Sequence, residues 1–431
     1  MRNSNYLEVG KAAYELCEQL FPICRSITGN GFRDSIRALQ KIVPELQLKS
    51  LPSGLQCFDW KVPKEWNINA AYVLGPDGKK IIDFKNSNLH VVNYSTPIDA
   101  EVTLSELQEH LYSLPDQPNV IPYITSYYQE RWGFCLTHDQ RERLVPGKYK
   151  VKIDSTLKDG ELNYAEFILP GESDRTVFIS TYLCHPSMAN NELSGPAVSI
   201  YLASWLASLK SRQYTYRFVF IPETIGSIAY LSLHKDELQQ NVFAGFNLTC
   251  LGDDNHFSFM PSRLGVSYSD YVAKLILSNL DPEFLEYSFL TRGSDERQYC
   301  SPRIDLPMVS IMRSKYGEYD EYHTSADNLS FISAEGLGVS YRALRTCIEH
   351  IESDSLYENE FTCEPQLGKR GLYPTIGTGK KTNTVANMMN LIAYCDGRTP
   401  ISQVASYIGV SREQATRVAR TLCKNGVLRK L

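Results

Sequence analysis

Between residues 171 and 360 the chain alternates two kinds of segment. Short apolar runs (TVFISTYLCH, YRFVFIPE, FAGFNLTCLG, LPMVSIM) are separated by longer stretches of helical character (PAVSIYLASWLASL, SIAYLSLHKDEL, SDYVAKLILSNL). A further long helix is predicted from about Ala334 to Ile351. A strand with one wet face alternates apolar and polar residues, whereas a strand apolar throughout is covered on both faces. Such strands joined by helices predict a three-layer α/β domain.

The flanks read differently. Residues 1–47 predict two helices, from Tyr6 to Phe21 and from about Arg33 to Val43, with a turn at Ile27-Thr28-Gly29-Asn30-Gly31. Over 48–170, short strand-like runs are broken by Asn, Asp, Gly and Pro. In GKYKVKID, Tyr149, Val151 and Ile153 alternate with Lys148, Lys150 and Lys152, which is the pattern of a half-buried strand. Thr103 and Glu106 make a capping box that opens a helix reaching about Tyr112. The expected organisation is one α/β domain from 1–47 and 171–362, interrupted by a mostly β module at 48–170. Residues 361–382 are rich in Gly and Pro and read as a linker. Residues 383–431 predict three short helices, with Ser411 capping a basic one, in a helix-turn-helix pattern whose tail NGVLRKL starts a wing.

Charge and cysteine usage narrow the function. Lys and Arg number 44 against 49 Asp and Glu, a net charge of −5, so the chain is not a uniformly basic nucleic-acid coat. No apolar run approaches the ~18 residues a membrane span needs, and the first residues lack the apolar stretch of a signal peptide. Eleven scattered cysteines without a C-x-x-C pair read as reduced thiols of a cytoplasmic protein.

His185, Glu223 and the Asp253-Asp254 pair each follow an apolar strand, and His323 lies in a loop just after LPMVSIM. Ligands of open α/β sheets bind beyond the carboxyl ends of the strands, so these groups can converge although distant in sequence. Two imidazoles with two or three oxygen donors suit a zinc ion. In Gly252 to His256, Asp253, Asp254 or His256 could be ligands, although a plain turn needs no metal; Asp253 is the favoured ligand of the three. Arg25 to Gly29 reads as an anion-binding loop or, more simply, a capped turn. His90, His110, His138, His234 and His350 have no clustered partners.

Cys184 to Gly195 resembles the first metal motif of the zinc aminopeptidase superfamily, in which a strand ends in a ligand His and a D-N-x-S-G-like segment opens a helix. Phe220 to Gly226 resembles its E-E-x-G segment, and Glu321 to Asp327 its final H-T-x-x-D motif. More closely, DWKVPKEWN, SNLHVVNYS, TSYYQERWGFC and GSDERQYCSP resemble blocks of a bacterial family with an aminopeptidase-like domain, an inserted β module and a C-terminal winged helix. Some of its members sit among surface-polysaccharide genes. The resemblance implies that His185 and His323 are metal ligands. It implies that Glu223 is the general base or a neighbouring ligand. Asn191 falls where the family has a metal-bridging Asp, Thr224 where it has the second Glu, and Thr249 where many relatives have an Asp. With Asp253 as a substitute, the expected site is His185, Asn191, Asp253 and His323 around one zinc ion rather than two. Ser294 to Arg297 reads as a substrate clamp, Arg297 for a carboxylate and Asp295 for an amine, or as a solvated loop.

The implied activity is zinc-dependent hydrolysis of an amide, most simply an N-terminal peptide bond, with Glu223 as base. A deacylase of an amino sugar or small amide would use the same chemistry. Asn191 and Thr224 support a third reading, a degraded hydrolase that binds a ligand and works through its winged helix. Residues 391–431 carry seven basic residues against two acidic, which suits phosphate contacts as well as an ordinary solvated face, so DNA is a lesser expectation. A homo-oligomer is compatible with the family, and no membrane contact is expected.

Overall fold

An eight-stranded sheet organises the larger part of the chain. Its spatial order is Gln47–Pro52, Glu161–Leu169, Tyr214–Ile221, Ser173–Tyr182, Val242–Leu248, Met308–Met312, Ser258–Met260 and Leu285–Glu286. The computed structural model describes residues 4–372 and 383–431. The strands from Tyr214–Ile221 across to Met308–Met312 are parallel, and they are the apolar runs of the sequence. Phe178, Phe218, Val219, Phe246 and Val309 are buried on them. Helix Ser194–Ala207 is buried along most of its length because it packs on the sheet and against the N-terminal helix Ser4–Leu20.

The strand Ser173–Tyr182 decides where chemistry can occur. The next strand in sequence, Tyr214–Ile221, pairs on one side of it, and the following one, Val242–Leu248, pairs on the other. The chain therefore steps first to one side of this strand and then crosses to the other, and the reversal opens a crevice at its carboxyl end, which is the switch point of an α/β sheet.

The mostly β segment holds an antiparallel sheet in the order Lys80–Asp83, Glu65–Leu74, Lys148–Lys158 and Ile98–Thr103. Tyr149, Val151 and Ile153 are buried as their alternation predicts, and Thr103 and Glu106 form the reciprocal cap. The segment is shorter than 48–170, because Gln47–Pro52 and Glu161–Leu169 belong to the large sheet. Glu161–Leu169 carries Glu166. Its carboxylate is buried, bonded to Arg217 at 2.9 Å, Lys49 at 2.8 Å and the Tyr230 hydroxyl at 2.7 Å.

The chain divides into two compact units, Met1–Thr346 and Cys347–Leu431. In the second, helices Asn383–Tyr394, Ile401–Ile408 and Arg412–Lys424 pack with a three-stranded sheet. The central strand is Leu356–Asn359, between Asp396–Pro400 and Leu428–Lys430. This domain thus starts well before 383, and residues 361–372 of the expected linker fall within it; residues 373–382 lie outside the described residues. Among the described residues no helix is long and apolar enough to cross a membrane.

Arg33 of helix Asn30–Leu39 ties the first unit's flank to the β module through Glu65, at 2.6 Å and 3.3 Å. Burial raises the Glu65 pKa, but Arg33, the Asn67 amide and the Glu161 N–H outweigh it and bring the carboxyl down to about 2. A folded value below the unfolded one stabilises above the unfolded pKa, and that stability is lost as pH falls toward about 2. Arg33→Ala should cost about 2 kcal/mol at neutral pH. It should also move the acid-unfolding midpoint, followed by circular dichroism, to higher pH.

Candidate functional site

His185 is the third residue after the strand Ser173–Tyr182 and lies at the crevice. His323 comes from the loop beyond Met308–Met312, and the two imidazole centroids are 5.2 Å apart. Glu223 follows the neighbouring strand Tyr214–Ile221 and brings Oε2 to 3.6 Å from His185 Nε2. The strand ends thus bring His185, Glu223 and His323 together.

Behind His185 sits a carboxylate that sequence reasoning missed. Glu192 is fully buried, its Oε2 lies 2.6 Å from His185 Nδ1, and its other oxygen accepts from the Cys184 N–H. A carboxylate on Nδ1 holds that proton in place and leaves Nε2 as the donor atom. Burial opposes an imidazolium at His185, but Glu192 and then Glu223 outweigh it, so its pKa is raised. His323 is pushed down to about 3 by burial and by His185 beside it. Glu223 is raised by burial, with His185 and Arg297 opposing. The only local signal for Glu192 was its charge among the uncharged residues from Cys184 to Gly195.

Cys184, His185 and Glu192 have potential ligand atoms within 4.8 Å of one another. Burial and the Glu192 charge raise the thiol pKa of Cys184 well above normal, which keeps it protonated, and Glu192 already shares a proton with His185. This group is the back of the site, and the opposite face of His185 is its donor face. Arg25 braces the same region from beneath. It is fully buried and donates to the carbonyls of His185 at 3.1 Å and Leu20 at 2.7 Å, so it does not present an open anion loop.

Asn191 lies in a single π-helical turn, Ala189–Leu193, a form that recurs at functional sites. Asp327 fixes that turn, accepting the N–H groups of Asn190 at 2.6 Å and Asn191 at 2.9 Å. Backbone strain concentrates around the crevice: Ser187, Thr224, Cys250 and His323 all have positive φ. Non-glycine residues hold such conformations at a cost of about 1–3 kcal/mol each, and only where the surroundings impose them.

The β module contributes directly. The segment around Tyr123 pairs with the His323 loop, Tyr123 N–H donating to the His323 carbonyl at 2.8 Å and Ser325 N–H to the Ile121 carbonyl at 2.8 Å. The Tyr123 ring packs against both imidazoles, at 4.9 Å from His185 and 5.3 Å from His323. No local pattern marks Tyr123 in the sequence.

Other expected residues are placed elsewhere. Asp253 is buried, but its oxygens accept from Asn190 Nδ2 at 2.8 Å, Ser314 N at 3.0 Å, Ser314 Oγ at 3.1 Å and Asn255 N at 3.0 Å. It buttresses the turn and has no oxygen to spare for a metal. Asp254 accepts from Ser333, and His256 pairs with Asp281 at 2.9 Å on the surface. Asp295 is fully buried, its Oδ1 taking the Thr224 N–H at 2.8 Å and the Ser227 hydroxyl at 2.7 Å at the start of helix Ile225–Asn241, while its Oδ2 has no hydrogen-bond partner. Burial and Glu223 raise it to about 8. Arg297 is exposed and donates to Thr224 Oγ1 at 3.0 Å, which leaves it at the rim.

The donors fit a zinc ion. Asn191 Oδ1 and His323 Nε2 are buried and have no hydrogen-bond partner, although buried polar atoms are normally satisfied. With His185 Nε2 they make two nitrogens and one oxygen, and Glu223 Oε2 stands 3.6 Å from His185 Nε2.

A model of a domain of unknown function, DUF4910, matches residues 14–354, and a winged helix-turn-helix model matches residues 355–430. A protein of Clostridium acetobutylicum named for polysaccharide biosynthesis, with an aminopeptidase-like domain, is 46% identical over 376 residues. The match covers 87% of this chain and 86% of that one. A crystal structure from Clostridium acetobutylicum, described as a peptidase, superposes with a TM-score of 0.83 at 41% identity, over 99% of this chain and 98% of the other. The zinc aminopeptidase of Bacillus subtilis gives 0.56 at 14% identity, over 79% of this chain and 94% of its own, and so shares the fold. The chain therefore belongs to the DUF4910 family, with an aminopeptidase-like α/β fold followed by a winged helix.

Proposed function

We propose that the chain is a metal-dependent hydrolase of amide bonds, most simply of a peptide bond at a free amino terminus. One observation carries this reading: at the switch point of the sheet, the imidazoles of His185 and His323 meet Glu223, and His323 Nε2 and Asn191 Oδ1 are buried without partners. His185, Asn191 and His323 would hold a single zinc ion, and Asp253 is left out of the set. When bound, the ion supplies Lewis acidity and lowers the pKa of water toward ~7.

The protein's own groups then divide the work. Glu223 accepts the proton of the attacking water at its carboxylate and delivers it to the leaving amine. Glu192 keeps the proton on His185 Nδ1. Arg297 at the rim offers a guanidinium to a substrate carboxylate, and Tyr123 walls the imidazoles off from the β-module side. A small amide or amino-sugar substrate is the second reading, favoured by the polysaccharide-biosynthesis name of the Clostridium relative.

Zinc-loaded protein should hydrolyse aminoacyl-p-nitroanilides or, on the second reading, N-acetylated amino sugars; failure on both would overturn the enzyme reading. Metal analysis should find about one equivalent in the native chain and a large loss in His185→Ala and His323→Ala. Glu223→Gln should keep its zinc and lose about 10²–10⁴ in rate. Loss of zinc in that variant would instead make Glu223 a ligand.

Zinc must displace a proton from His185 below its raised pKa, so apparent zinc affinity should climb with pH and level off above that value. Glu192→Gln removes the charge that raises the pKa, and the plateau should begin at lower pH. Calorimetry in buffers of different ionisation enthalpy counts the protons.

A further inference from the structure

We infer that Thr249 is a positioning residue that acts through Tyr182 to decide which end of the Asn191 amide faces the metal cavity. The inference rests on the proposed metal site and deepens it. Tyr182 ends the central strand, and Thr249 directly follows the adjacent parallel strand Val242–Leu248, so the two side chains meet next to the π-helical turn.

Three contacts form a closed circuit. Thr249 Oγ1 is 2.9 Å from the backbone oxygen of Asn191, Tyr182 OH is 2.5 Å from Thr249 Oγ1, and the Asn191 side chain is 2.7 Å from Tyr182 OH. A carbonyl oxygen only accepts, so the Thr249 proton is committed to it. Thr249 can then only accept from Tyr182, and Tyr182, its own proton spent, can only accept from Asn191. The Asn191 atom at Tyr182 is therefore the Nδ2 amine, and Oδ1 is turned away. The Cys250 sulfur, 3.8 Å from Nδ2, is a weak acceptor of the same polarity.

The opposite orientation costs more. Tyr182 would have to donate to Oδ1 and Thr249 to Tyr182, leaving the Asn191 carbonyl without its hydroxyl. The residue five further on, toward which a π-helical carbonyl points, is Pro196, and it has no N–H to give. The amine would also face the site meant for a cation. Tyr182 and Thr249 are both buried, at 1% exposure, so water is not at hand to repair either defect. Asp327 holds the Asn191 backbone, and the circuit sets its side chain.

The test uses the full chain and measures zinc affinity by competition with a chromogenic chelator, with thermal unfolding of the metal-free protein alongside. Thr249→Val and Tyr182→Phe should weaken zinc by about 10–100-fold. Thr249→Ser, which keeps the hydroxyl, should stay within about threefold of native, well short of that loss. Asn191→Asp has oxygen at both ends and nothing to orient, so adding Thr249→Val to it should change affinity little. Native-like affinity in Thr249→Val would overturn the inference, as would a Thr249→Ser variant as weak as the valine one. Equal losses from Thr249→Val in the native chain and in the Asn191→Asp variant would do the same, because they show a merely structural effect. If the native chain itself takes up no zinc, the metal reading has failed and this inference falls with it.

Discussion

The buried carboxylate of Glu192 sets the terms for the rest of the site. A fully desolvated anion must find protons nearby, and here it takes them from the Cys184 backbone and from His185 Nδ1. That choice fixes the tautomer of His185 and aims Nε2 into the crevice. It also keeps a negative charge one atom layer behind the donor face instead of on it. Asn191, the next residue back along the chain, is neutral. The segment therefore holds its charge in reserve behind a histidine, where it tunes basicity, and it places an uncharged oxygen in front.

The strand ends that carry this site were readable because of a single physical constraint. A parallel sheet buried on both faces must be apolar throughout, so polar residues where the apolar runs stop are conspicuous. His185, Glu223 and His323 were found in that way, and they converge. Asp253 satisfied the same criterion and is a brace. A carboxylate in a turn looks alike whether its partner is a cation or a set of N–H groups, and the groups that saturate it, from Asn190 and Ser314, lie about sixty residues away in either direction. Asp295 is anchored in a similar way through one oxygen, by Thr224 and Ser227 at a helix end far from it in sequence, and its other oxygen has no partner. Glu161–Leu169 was placed with the inserted module, whereas its Glu166 is buried between Lys49 and Arg217 in the large sheet.

Tyr123 shows a different limit. Its contribution is a backbone bond and a ring placed against two histidines, and neither has a local pattern. The inserted module thereby touches the loop in which His323 holds a positive φ. Residues that adopt such geometry need support from outside their own segment, and the module supplies part of it. Sequence separation of the two histidines gave no hint that a third stretch of chain would be needed to hold one of them.

The placement of Leu356–Asn359 at the centre of its small sheet matters for anyone dividing this chain. A cut in the glycine- and proline-rich stretch looks harmless. It would leave the N-terminal fragment with an orphaned ribbon, bare along both edges and ready to pair with a neighbour. The C-terminal fragment would keep its helices around a gap where that ribbon belonged. The natural seam lies upstream, near the end of the long helix Ala334–Ser353.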